Sequence, residues 1–339
     1  MIARKVRGSI SAAFLVFILV TPAAARDADT WPVKERIVGK DGDKSEDVSG
    51  IACAKDHGFP RACLVIDDNL QEAQFVTVED GVITAGDTVQ LIDNEFKNKP
   101  LELDGEGVAF ADGAYYVMGS HGHPRDKDKK LDPSKDLDKI NARIDASSQI
   151  VRIRMGSGGS VSLIERTGKL RDIIKAEPAL TRFVDRRLEN NGVTIEGIAL
   201  SQGHVLAGFR SPTLQNGRAA VLSVPIDALF GDGTAEHTLY KLPLGNGQGV
   251  RDLAPLNDGF LVLAGPSADG GGAYSVFWWD GKTENVSFLK DISEVTGGDP
   301  KHKPEAILPL DVGPSGVRVL VMSDGEKEGA PVALDVPAP

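Results

Sequence analysis

Five segments of this 339-residue chain share one plan, and their spacing restricts the folds open to it. Each has a polar or acidic lead, a small residue, a β-branched residue or Leu, and usually Ala. A turn and a second apolar strand follow. The segments begin at residues 47 (DVSGIA), 104 (DGEGVA), 194 (TIEGIA), 250 (VRDLA) and 304 (PEAIL). Their return strands are 63–68, 115–121, 205–210, 260–265 and 319–324. With Gly50, Gly107, Gly197, Asp252 and Ala306 taken as equivalent, the spacings are 57, 90, 55 and 54 residues. The 33 residues after Ala306 and the 25 between an expected signal-peptide cleavage point near residue 25 and Gly50 together supply one more period, which suits a closed ring better than an open solenoid.

Further strand pairs complete each unit, among them 150–154 with 161–164, 220–224 with 238–242, and 274–279 with 286–289. Four short antiparallel strands in about 50 residues form a propeller blade. The sequence therefore predicts an all-β fold, a β-propeller of five blades, with six as the alternative if the 90-residue spacing hides a degenerate blade. The last unit lacks a fourth strand, and residues 31–38 are expected to supply it and close the ring.

Residues 1–25 read as a signal peptide: Arg4, Lys5 and Arg7, then an apolar run at 10–20, then Pro22 and three alanines. That run is too short for a bilayer, which needs about 20 residues, and no other segment is long and apolar enough to span one. Residues 26–339 form a single domain on this reading, a monomer, periplasmic or secreted. The only cysteines, Cys53 and Cys63, fall on facing strands of one hairpin. Export permits a disulfide between them, worth about 2–3 kcal/mol; the alternative is two buried thiols. The formal net charge of −11 argues against nucleic acid as a partner.

Propeller geometry puts inner-strand starts and second-strand ends on one face. Two insertions, near 122–148 and 165–192, fall there too. The first reads as a solvated, mixed-charge run, compatible with a lid, and the second holds a helical piece over 172–185, interrupted near Pro178. The face gathers Glu106, Glu196, Arg251, Asp252 and Glu305 from inner strands, and Asp67, Asp68, His121, His123, Arg210 and Asp324 from second strands. Carboxylates converging on one axis need a cation, an arginine or a proton between them. Glu106, Glu196, Glu305 and Asp324 are the expected ligands of Ca²⁺ or another divalent cation; the competing reading makes the repeated glutamates scaffold. Arg210 and Arg251 are the expected binders of an anionic substrate. His121 or Asp252 is the expected general base. The pair His121 and His123 reads as solvent-exposed, at a strand end. No Walker loop, nucleophile elbow, zinc-protease or kinase motif is present, and no nucleotide or haem cofactor is expected.

The phrases EGVAFADGAYYVMGSHG, RDIIKAEPAL, GVTIEGIAL, RDLAPLNDGFLVLAGP and KPEAILPL resemble a bacterial family catalogued as domain of unknown function 3616. That resemblance implies an exported protein and brings no activity. The E-G-I-A strand with a D-G turn is also similar to esterase-like phytase and calcium-dependent lactonase propellers; this chain carries His121 where an acidic residue is expected. Two functions stand at this point. One is a cation-assisted hydrolase of a phosphoester, ester or lactone at the central channel, acting on a small anionic molecule. The other is a non-catalytic envelope propeller that binds a protein or glycan.

Overall fold

The computed structural model describes residues 29–125, 131–314 and 316–339. The expected signal peptide lies outside the described residues. Five antiparallel sheets surround a central axis, so the fold is a five-bladed β-propeller. From the axis outward, the first blade is Val48–Cys53, Arg61–Asp67, Glu72–Glu79 and Val82–Gln90. The second is Gly105–Ala111, Ala114–Gly119, Ile150–Met155 and Val161–Thr167. The third is Thr194–Ser201, His204–Ser211, Ala219–Pro225 and Thr238–Leu242. The fourth is Gln248–Leu256, Gly259–Pro266, Ser275–Trp279 and Val286–Asp291. The fifth starts with Lys303–Gly313, Gly316–Asp324 and Val332–Val336, and its outer strand is Asp29–Thr30 from the other end of the chain.

Ring closure therefore differs in detail from the expectation that residues 31–38 complete the fifth blade. Asp29 and Thr30 pair with Ala333 and Val332, and Trp31 adds a bond from its N–H to the Pro331 carbonyl at 2.8 Å. Pro32 has no N–H to continue the ladder. Val33–Lys34 instead runs parallel to Ile83 and Thr84 of the first blade. Residues 29–34 thus join the fifth blade to the first.

Each inner strand packs on the next around the ring. The small residue of the repeat is what permits the approach. A Cβ at Gly50 would stand 2.9 Å from the Gly107 Cα, and one at Gly107 would stand 2.8 Å from the Glu196 carbonyl oxygen. Both separations are shorter than carbon packing allows. Five apolar layers, one between each neighbouring pair of blades, hold the ring together. Both faces of each inner strand are covered, which explains why these strands read as continuous apolar runs.

The 90-residue spacing holds helices and not a sixth blade. Leu137–Ser147 is an α-helix, where a solvated charge run was expected. Ile140 and Ile144, one turn apart, bury a narrow stripe that the surrounding charges mask in the sequence. The second helix is Lys169–Ala176, three residues earlier than expected. Its C-cap, Glu177, takes an extended ψ of 113°, as a residue before Pro178 must. Leu170, Ile173 and Ile174 seat it on the layer between the second and third blades.

Candidate functional site

One residue per blade begins the site: Ser49, Glu106, Glu196, Arg251 and Glu305. In every blade the ladder register shifts at this residue, so it is left out of the pairing with the second strand. The extra residue of a β-bulge is re-aimed by the local twist. Here the bulge recurs five times, and four of the five residues it releases are charged.

Three of the ring's carboxylate and arginine positions satisfy one another. Arg251, fully buried, sits between Glu196 (Nε to Oε2, 2.9 Å) and Glu305, to which its Nη2 donates. The other Glu305 oxygen accepts from Ser49 Oγ at 3.2 Å. Glu196 also takes Arg210 Nη1 at 2.9 Å, and Arg210 Nη2 reaches Asp269 Oδ1 at 3.1 Å. The result is an alternating chain of charge: Asp269, Arg210, Glu196, Arg251, Glu305. In the dry interior each link offsets the desolvation of its neighbours.

Glu106 has no place in that chain. It is 2% exposed, and its Oε1 has no hydrogen-bond partner among the described residues. Burial, and then the charges of Glu196, Asp104, Glu305 and Asp68, push its pKa well above the ordinary carboxylate range. One carboxylate oxygen each from Glu106, Asp68 and Asp104 lie within 4.8 Å of one another. Asp68 is also pushed well up, by burial and by Asp104 beside it. Oxygens at such separations fit around one cation with Ca–O distances of about 2.4 Å. An orphaned buried carboxylate among acidic neighbours suits a hard divalent cation.

Asp68 and Asp104 line a polar cavity of about 460 Å³ at this mouth of the channel. Its wall includes Asp47, Arg125, Arg143, Asp269, Lys303 and Asp324. The first insertion contributes Pro124, Arg125, Arg143 and Ser147, so the loops do gather over this face.

The expected site residues are divided by this geometry. Glu106 lies in the acidic cluster. Glu196 and Glu305 lie in the arginine chain, and Asp324 is ion-paired to Lys303 Nζ on the cavity wall. Arg210 reaches the site beneath Asp269, whereas Arg251 is enclosed by its two glutamates. Asp252 points between blades: its Oδ1 accepts from Leu253 N at 2.7 Å and its Oδ2 from Ile307 N at 2.8 Å. That is the scaffold role, a carboxylate bracing the next blade. Burial raises its pKa to about 8 against those two bonds. His121 is 2% exposed, not solvent-exposed as expected, and is absent from the residues lining the polar cavity. Its φ of +55° turns the chain inward, and its N–H donates to the Ser147 carbonyl at 3.0 Å. Burial lowers its pKa to about 4, so the ring is neutral at physiological pH.

Asp104, Arg125 and Asp269 were missed. Asp104 stands directly before the bulge of the second blade with φ +54°, a backbone conformation that Asp tolerates better than most side chains. Its place before Gly105 reads as an ordinary turn. Arg125 and Asp269 come from loops about 140 residues apart, and no periodicity brings them together.

The opposite mouth of the channel is a different cavity, about 370 Å³, lined by Ile51, Val108, Leu200, Leu253, Ile307 and others. The Cys53–Cys63 disulfide is formed at its edge. Arg61 is buried beside it, donating to the carbonyls of Gly58 and Pro309, each at 2.7 Å, and of Leu310.

Residues 146–330 match the model of a family described as "Protein of unknown function (DUF3616)". The sequence matches no curated protein. Among solved structures, the Nup133 β-propeller domain of Vanderwaltozyma polyspora is similar at 10% identity and a TM-score of 0.37, over 85% of this chain and 71% of that one. A luciferin-regenerating enzyme is similar at 12% identity and a TM-score of 0.38, over 87% and 78%. Bacillus subtilis arabinanase Arb43A is similar at 9% identity and a TM-score of 0.38, over 86% and 94%. At these identities and scores the likeness assigns no activity to this chain.

Proposed function

We propose that this chain, which belongs to the DUF3616 family of proteins of unknown function, is an exported propeller that hydrolyses a small anionic ester at the polar mouth of its channel with the help of a divalent cation. The observation that carries the reading is Glu106, a buried carboxylate whose Oε1 has no hydrogen-bond partner among the described residues, facing Asp68 and Asp104. Those three residues would hold the cation. When bound, it would withdraw electrons from the phosphoryl or carbonyl oxygen of the ester.

The chain's own residues supply the rest. Arg210, held in place by Glu196, lies behind Asp269, which lines the cavity. Asp324 lines the wall with one oxygen steadied by Lys303, leaving the other to accept a proton from attacking water. The helical insertion narrows access to the cavity. A phosphoester, a carboxylate ester and a lactone all fit this chemistry. The polar lining favours a small charged ligand over the alternative of a docking face for a protein or glycan. The Cys53–Cys63 disulfide supports an oxidising compartment, hence the periplasm or the medium.

The test is a thermal melt of the EDTA-treated mature protein titrated with Ca²⁺, Mg²⁺, Mn²⁺ and Zn²⁺, with Glu106→Gln alongside. A concentration-dependent rise with one cation, lost in Glu106→Gln, is expected. The same cation should then stimulate hydrolysis of a p-nitrophenyl phosphate, an acetate ester or a lactone. No shift with any cation would overturn the reading.

A further inference from the structure

Two arginines of the polar mouth converge on one carboxylate. Asp269 Oδ1 lies 3.1 Å from Arg210 Nη2 and 3.3 Å from Arg125 Nη1. Arg210 is buried at the site, while Asp269 is more than half exposed and belongs to a loop at the cavity edge. The loop continues Gly270-Gly271-Gly272, and Gly270 has φ +117°, which only glycine adopts freely. Arg210 Nε is buried and has no hydrogen-bond partner among the described residues. A buried guanidinium is thus capped by an exposed carboxylate on a glycine-rich loop, whose Ala268 carbonyl also accepts from Arg210 Nη2 at 3.1 Å. Asp104, Glu106 and Glu196 hold Arg125 firmly in its charged form.

We infer that Asp269 occupies the place of the substrate's own anionic group, and that this group is a phosphoryl dianion held by Arg125 and Arg210 once Asp269 has moved aside. The inference rests on the polar cavity being the substrate site, and not on the cation. The choice of a dianion follows from competition. A carboxylate tethered by a short flexible segment acts at an effective concentration in the millimolar range. A free monocarboxylate offers the arginines nothing that Asp269 does not. A phosphoryl group brings a second charge and three acceptor oxygens, enough for both guanidinium groups at once. Arg251 does not share this work, because it is fully buried, ion-paired to Glu196 and Glu305, and absent from the cavity lining.

The probe is inorganic phosphate, titrated by calorimetry into the full mature protein in EDTA, with acetate as a second arm. Wild type is compared with Asp269→Asn and Arg125→Gln, both at solvent-accessible positions whose exchange leaves the core intact. Phosphate should bind Asp269→Asn at least tenfold more tightly than wild type, bind Arg125→Gln at least tenfold more weakly than wild type, and outcompete acetate. Equal affinity in wild type and Asp269→Asn, no phosphate binding to either, or acetate binding as well as phosphate would each overturn the inference. A cation titration of the same proteins separates the two readings. Cation binding without phosphate binding removes the anion site and leaves the acidic cluster standing. Phosphate binding in EDTA without any cation response does the reverse.

Discussion

The two mouths of the channel are made by the same five strands, yet one is charged and the other apolar. The difference is where the ladder breaks. At the starts of the inner strands a bulge in every blade frees one side chain from the pairing, and that side chain is charged in four of five blades. At the far ends the pairing runs on through tight hairpins in the second, third and fourth blades, while the first has a longer loop between Cys53 and Cys63 and the fifth a second bulge at Leu310. There the side chains are those of an ordinary sheet interior, and the one buried charge, Arg61, is spent on carbonyls of the neighbouring blade. A regular ladder supports the fold, whereas an interrupted one turns charged side chains toward the channel.

The largest test of that contrast is Arg251→Met. Removing the central cation leaves Glu196 and Glu305 buried without compensation, a loss of about 3–5 kcal/mol. Urea unfolding should show a midpoint far below wild type, or no cooperative transition at all. An unchanged midpoint would mean that the arginine chain contributes nothing to stability.

At the apolar mouth, Cys53→Ser with Cys63→Ser should cost about 2–3 kcal/mol, because the closed loop is short. Cation and phosphate responses at the other mouth should stay as in wild type. If they shift, the two ends are coupled and the contrast drawn above is too sharp.

Glu106→Gln has the smallest effect and the opposite sign. In EDTA it should raise the melting temperature by about 2 °C, since it removes a buried carboxylate crowded by Glu196, Asp104, Glu305 and Asp68. A scaffold glutamate would lower it. The pH dependence follows the same logic. Glu106 binds its proton more tightly folded than unfolded, so its contribution to stability is fully present at low pH and declines as pH rises from about 4.5 through the raised folded value. The decline from pH 5 to 8 should be shallower in Glu106→Gln. It should also be shallower for wild type with a saturating cation, which replaces the proton.

Much of this was legible in the sequence. The repeat located all five ring positions, because a propeller forces one residue per blade to the same height on the axis. The partners were not legible. Whether Glu106 or Glu196 meets an arginine depends on which neighbours each bulge turns it toward, and Arg210 comes from a different strand. His121 misled because an H-x-H at a strand end looks exposed; a left-handed residue and a bond to the first insertion fold it inward. The helix at Leu137–Ser147 was hidden because two isoleucines suffice to anchor it amid charges.

The seam between the first and last strands has a kinetic consequence. Asp29 and Ala333 lie about 300 residues apart in the chain, yet they are partners. Hairpins within a blade form from local contacts in microseconds, whereas this pairing must wait until the entire polypeptide is present and the other blades are stacked. Among the described residues, two residue pairs and the Trp31 bond make the join. The seam should therefore be the last part of the molecule to gain protection from hydrogen exchange during refolding, and among the first to lose it under native conditions.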